Sequence, residues 1–222
     1  MECLGEVVIA TDAEEVARVC QGFGARVVMT SPDHPSGTDR VAEVAALREF
    51  RHFAVIANLQ GDEPLLEEST VRAAIAQVRE AGHGIGTCAV PIQEAEELTD
   101  PSVVKVACGE DGRALYFSRS EVPFARDPGV REQELARSGY LRHVGLYVYT
   151  REALDQWVSM PEARLEQLER LEQLRPLAAG IAIGVAVVDQ AEGGVDTLAD
   201  VKRIEARLSE SGYTSAVETP AQ

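Results

Sequence analysis

The sequence predicts an α/β protein with one main domain, built on a layered, largely parallel sheet that carries an antiparallel extension. Three observations predict it. In the first 60 residues, short β-branched runs alternate with stretches of helical periodicity. In the second half, four apolar runs follow one another with a glycine-bracketed turn, Gly109-Glu-Asp-Gly112, between two of them. Finally, the chain has 222 residues and is 45% hydrophobic, enough for one sizeable core.

Taken in order, residues 6–12 form the first strand, and Asp12 with Glu15 makes a helix cap. Val16, Val19, Cys20 and Phe23 recur at helical spacing and predict one buried face, closed by Gly24. Residues 26–30 supply the next strand, a loop rich in Pro, Ser and Gly follows, and residues 38–50 return to helical periodicity before a strand at 53–59. Strands are expected at 84–91, 102–108, 113–119 and 140–149, helices at 151–158 and 164–175, a strand at 181–188 and a helix from about 197 to 210. Leu165, Leu168, Leu171 and Leu174 are spaced by three, and Pro176 stops the pattern, which predicts a core-facing helix rather than a coiled coil. The domain spans 1–211, and 212–222 reads as a polar, flexible tail.

Charge and cysteine usage narrow the function. Thirty-seven acidic against 21 basic residues give a net charge of −16, which excludes general binding to a nucleic-acid backbone. A small anionic substrate is still compatible, because a local Arg and His cluster outweighs distant, salt-screened acids. Cys3, Cys20, Cys88 and Cys108 show no metal-ligand spacing. The longest apolar run, residues 177–188, is well short of the ~20 needed to span a bilayer. No signal peptide is read at the start, so no membrane insertion and a cytoplasmic setting are expected.

Chemistry-bearing residues fall where strands end. Asn58-Leu-Gln-Gly-Asp-Glu-Pro64 follows an apolar strand, which places Asp62 at the carboxyl edge of the sheet, where ligands bind in open α/β folds. Gly61 permits close approach to a phosphate, and Asp62 is a hard oxygen ligand of the kind Mg²⁺ prefers; an ordinary turn capping the next helix is the competing reading. Gly193-Gly-Val-Asp-Thr197 has the same form, with Asp196 either a ligand or a helix cap. Two such carboxylates at one edge would share a Mg²⁺ and offset the charge of a nucleotide phosphate. Ser36, Gly37, Thr38 and Arg40 open a helix and offer hydroxyls and amides to a base edge or a phosphate, or simply cap the helix. Arg119 and Arg126 suit a carboxylate, while His143, Tyr147, Glu172 and Gln173 suit sugar hydroxyls; singly, each is more often a surface charge or a satisfied core group.

The strings VVIATD, HPSGTDRVAE, NLQGDEP, DPSVVKV, ALYFSRSEVPFAR, LRHVGLYVY, LERLEQLRPL and GVDT run in order from about residue 6 to residue 205. As a series they are far more specific than any single motif. The chain thereby resembles the 3-deoxy-manno-octulosonate cytidylyltransferases (CMP-KDO synthetases), nucleotidyltransferases with a Rossmann-like, mostly parallel but mixed sheet. The resemblance implies transfer of CMP from CTP to the anomeric hydroxyl of KDO, releasing pyrophosphate and supplying an activated sugar for lipopolysaccharide. It also implies that Asp62 and Asp196 hold Mg²⁺ and that Ser36, Gly37, Thr38 and Arg40 bind the nucleotide. Gln60, Arg119, Arg126, His143, Tyr147, Glu172 and Gln173 would then contact KDO. A homodimer through the antiparallel strands near 113–150 is implied as well.

In the family, VVIATD is the second strand and follows a first strand, a basic loop of the type IPARYxSxRLPGKPL and a helix. That unit, roughly 40 residues long, has no counterpart ahead of Met1 in this sequence. The expectation is a central slot in the sheet and a rate lowered by 10²-fold or more, since losing even one such stabilising donor commonly costs that much. Two alternatives accompany the main reading: a sugar-binding or pairing module without turnover, and a cytidylyltransferase for a related acidic sugar.

Overall fold

The computed structural model describes residues 1–127, 129–191, 193–195 and 197–210. Its larger sheet has six strands. These are β3 (Val55–Leu59), β4 (Ile85–Pro91), β5 (Lys105–Cys108), β6 (Ala114–Ser118), β7 (Leu141–Thr150) and β8 (Ile183–Val187). β7 runs antiparallel to β3, β4 and β5, β5 to β6 is also antiparallel, and β4 to β8 is parallel, so the sheet is mixed. A separate two-stranded parallel sheet joins β1 (Ile9–Thr11) and β2 (Val27–Met29). The segment expected as an antiparallel extension is thus divided: β6 lies at the sheet's margin, whereas β7 runs through the middle.

Alternation along β4 and β7 sends side chains to two faces, and each face buries a core. On one, Val144, Leu146 and Val148 meet Val71, Ala74 and Val78 of α3 (Glu68–Arg79). Gly86 allows this approach, because a Cβ there would lie 2.3 Å from the Ala74 carbonyl oxygen. On the other, Tyr147 and Tyr149 pack against Leu154 and Trp157 of α6 (Arg151–Ser159) and Leu174 of α8 (Leu174–Ala178). Among the described residues, no helix is long and apolar enough to cross a membrane.

Three local readings are corrected by the structure. In α1 (Glu14–Gly22) the buried residues are Ala17 and Cys20, while Val16, Val19 and Phe23 are 45%, 58% and 67% exposed; no described element covers that stripe. The N-cap of α1 is Ala13, not Asp12; the Asp12 carboxylate instead pairs with Arg40 at 3.2 Å, and the Thr11 hydroxyl accepts from the Ala13 N–H. The leucine-bearing helix is split into α7 (Arg164–Glu169) and α8, because Arg170 adopts φ 53° in the left-handed region and ends the first piece. Leu171 and Leu174 are buried as expected, but Leu165 and Leu168 are exposed. Pro176 lies within the first turn of α8, where its missing N–H costs nothing. By contrast, the turn at 109–112 closes as expected, with the Gly109 N–H donating to the Arg113 carbonyl at 2.8 Å. The tail from 212 lies outside the described residues.

Candidate active site

β3 ends at Leu59, and the chain turns sharply so that Gln60, Asp62 and Glu63 emerge at its carboxyl edge. The loop after β8 returns to the same place. The Val195 N–H donates to the Asp62 carbonyl at 2.8 Å, and a Cβ on Gly194 would sit 3.3 Å from that same oxygen. Two loops far apart in sequence, joined by the hydrogen bond between residues 195 and 62, are therefore neighbours in space. Asp196 itself lies outside the described residues. The Asp62 side chain is exposed and makes no hydrogen bond or ion pair among the described residues.

Gln60 joins this edge to the start of α2 (Gly37–Ala46). Its amide would lie 3.8 Å from a Cβ on Gly37, and its Cγ 3.7 Å from one on Gly145. Ser36 caps α2, accepting from the Asp39 N–H at 3.3 Å, as the helix-cap reading requires. Buried Thr38 donates to Glu172 Oε2 at 3.2 Å, and Arg40 reaches Asp12, the Thr30 hydroxyl and, at 3.4 Å, the Ser31 carbonyl. Their side chains are thus engaged internally, which leaves the amide-rich helix start as the surface offered to an anion.

Burial pushes the Glu172 carboxyl above its ordinary value, against the hydrogen bonds from Ser36 and Thr38. Tyr147 and Tyr149 lie close enough to feel that carboxylate; among the described residues both hydroxyls, and the Asn58 amide nitrogen, are buried without a well-formed hydrogen bond, although Thr38 and Asn58 lie near the Tyr149 hydroxyl. Unpartnered buried polar atoms beside a carboxylate are the kind of surface that a polyhydroxylated ligand satisfies. Gln173 is buried at the start of α8, next to Glu172 in sequence. His143 packs against Tyr147, ring centroids 5.2 Å apart, and burial, with Arg142 adding, pushes its imidazole down to about 3. It is therefore neutral near pH 7 and a poor proton acceptor.

The two arginines differ. Arg119 donates from Nε to the Glu169 carbonyl at 2.7 Å, from Nη1 to the Pro101 carbonyl at 2.8 Å and from Nη2 to the Arg170 carbonyl at 3.3 Å. Two of these N–H groups cap the C-terminus of α7, and the third ties it to the Pro101 segment. Arg126 is exposed, with no ion pair or hydrogen bond among the described residues. The structure thus brings together the 36–40 helix start, Gln60, Asp62, His143, Tyr147 and Glu172, ties Arg119 to the end of α7, and gives Arg126 no hydrogen bond or ion pair to the cluster among the described residues. Sequence reasoning missed Asn58, Tyr149 and Thr87, whose roles depend on pairing between distant strands.

Comparison with known proteins places this geometry. The sequence model of the cytidylyltransferase family matches residues 2–183. The chain is 51% identical over 196 residues to a 3-deoxy-manno-octulosonate cytidylyltransferase of Gemmatimonas aurantiaca, covering 88% of this chain and 75% of the relative. It is 44% identical over 209 residues to one of Syntrophotalea carbinolica, covering 93% and 82%. Among solved structures it is similar to a CMP:2-keto-3-deoxy-manno-octonic acid synthetase complexed with CTP, with TM-score 0.83, 37% identity and coverage of 94% and 82%.

Proposed function

The chain belongs to the cytidylyltransferase family, among its 3-deoxy-manno-octulosonate cytidylyltransferases, and on that premise we infer that it transfers CMP from CTP to KDO. The KDO anomeric oxygen forms a bond to the α-phosphorus, the bond from that phosphorus to the β-phosphate bridge breaks, pyrophosphate leaves and the hydroxyl proton is released. The observation that carries this reading is the Val195 to Asp62 hydrogen bond, which seats two acidic, glycine-rich loops beside the α2 helix start.

In this reading the amides at Gly37 and Thr38 face the nucleotide, and Gln60, Tyr147, Glu172 and Gln173 bind sugar hydroxyls. A free, exposed carboxylate at Asp62 fits the all-oxygen preference of Mg²⁺, and Asp62 with Asp196 would hold it. Bound there, Mg²⁺ would neutralise charge on the triphosphate. His143 accepts or donates a sugar hydrogen bond and does not take the anomeric proton, since its pKa of about 3 makes it too weak a base. Arg126 is the free guanidinium for the KDO carboxylate, and Arg119 contributes chiefly by holding α7.

A homodimer is part of the same reading, supported by the exposed Leu115 and Phe124 within 113–150. A cytoplasmic setting is supported by four free cysteines and by the use of CTP.

The division between the arginines is testable. Arg126→Ala should raise KM for KDO about tenfold or more, the worth of one charge-assisted hydrogen bond, with the melting temperature unchanged. Arg119→Ala should lower the melting temperature. Equal melting temperatures with equal rises in KM would refute the division. The function itself is tested by pyrophosphate release from CTP and Mg²⁺ with KDO or with a nonulosonate such as sialate. Release is expected with KDO only; CTP-dependent release with sialate and none with KDO would assign a different acidic sugar.

A further inference from the structure

β4 and β7 do not pair evenly. Thr87 is opposite Tyr147 but Cys88 is opposite Val144, so Gly145 and Leu146 form a bulge with no partner on β4. The fully buried Thr87 side chain fills that irregularity. Its hydroxyl oxygen lies 2.6 Å from the Leu146 carbonyl, 3.4 Å from the Val144 carbonyl and 3.0 Å from His143 Nε2.

A threonine hydroxyl has one proton, and a carbonyl oxygen only accepts. Two oxygens 2.6 Å apart require a proton between them, so the hydroxyl donates to Leu146. Only its lone pairs then face His143, and Nε2 must be the donor. Because the imidazole is neutral, its second nitrogen carries no proton. The ring plane is held by the edge of Phe117 and by Tyr147, each 5.2 Å away, and no hydrogen bond within the described residues reaches Nδ1.

We propose that Thr87 is a positioning residue that locks His143 in its Nε2–H tautomer, so that Nδ1 presents a pure hydrogen-bond acceptor to a hydroxyl of the sugar. This rests on the reading of His143 as part of the sugar site. An acceptor there favours a hydroxyl and disfavours a carboxylate, so the β4–β7 bulge sets which end of an acidic sugar lies against His143 and leaves the carboxylate to arginine.

The test is two-bond ¹H–¹⁵N correlation spectroscopy of the histidine rings in the full chain at neutral pH, with His143 assigned by its loss in His143→Gln. The wild-type ring should show the neutral Nε2–H pattern, and KDO should shift its Nδ1 signal. Thr87→Val should release the ring to a tautomer mixture and weaken KDO binding by calorimetry about tenfold, whereas Thr87→Ser should preserve both. An Nδ1–H pattern in the wild type, or a folded Thr87→Val protein with unchanged tautomer and affinity, overturns the proposal. If Thr87→Val fails to fold, the wild-type and Thr87→Ser spectra decide it. An Nε2–H ring whose signals saturating KDO leaves unmoved would instead overturn the sugar-site reading while the tautomer assignment stands.

Discussion

Asp62→Asn should lower the rate of CMP-KDO formation by about 10²- to 10³-fold, the loss typical when one preorganised electrostatic contact to a reacting centre is removed. Asparagine keeps the shape and one oxygen but removes the charge. Because the native carboxylate is exposed and makes no internal hydrogen bond, stability should change by less than about 0.5 kcal/mol. A fall in rate without a fall in melting temperature, followed by pyrophosphate release and thermal denaturation, is the expected pair of results. A matching loss of stability would make Asp62 a structural residue.

The second large effect concerns the fold beneath the proposed sugar site. Arg175 donates to Glu166 through Nε at 2.9 Å and Nη2 at 2.5 Å, and both side chains are at least nine-tenths buried. Burial opposes ionisation of Glu166, but hydrogen bonds from Arg175 and the Ala163 N–H, with the Arg175 charge, outweigh it and hold the carboxyl below its ordinary range. Arg175→Met strips the partner from a buried carboxylate and should cost about 3–5 kcal/mol. In a chain of this size that is on the order of 10 °C in melting temperature. The depressed carboxyl fixes the sign of the pH dependence: the pair's stabilisation is full above the ordinary carboxylate pKa and is lost as the pH falls through the folded value. Arg175→Met should therefore lose most stability near pH 7 and least in acid. The pair clamps α7 to α8, the two helices that flank Glu172 and Gln173, so a higher KM for KDO should accompany the loss.

Signals carried by adjacent residues were legible in the sequence. The apolar run of β4 and the Gly109 to Gly112 turn could be placed from local chemistry alone, as could the position of Asp62 at the end of β3. What was not legible depends on distant partners. Nothing near Arg170 announces a left-handed residue, so α7 and α8 read as one helix. Asp12 has the chemistry of a helix cap, but Arg40, brought up by α2, binds its carboxylate instead. Helical spacing places Val16, Val19 and Phe23 on one stripe without saying what would cover it. Arg119 reads as a carboxylate ligand until α7 arrives with carbonyls to cap, and Thr87 reads as one more residue of a buried strand until the β7 bulge turns a carbonyl toward it.

The central claim is that the 60–64 and 193–197 loops build one centre. A double-mutant cycle on CMP-KDO formation, with Asp62→Asn, Asp196→Asn and the pair together, tests it most directly. If the two carboxylates act as a unit, the double variant should be no worse than the poorer single variant. Losses that multiply would mean that the aspartates work independently, and the shared centre would have to be given up.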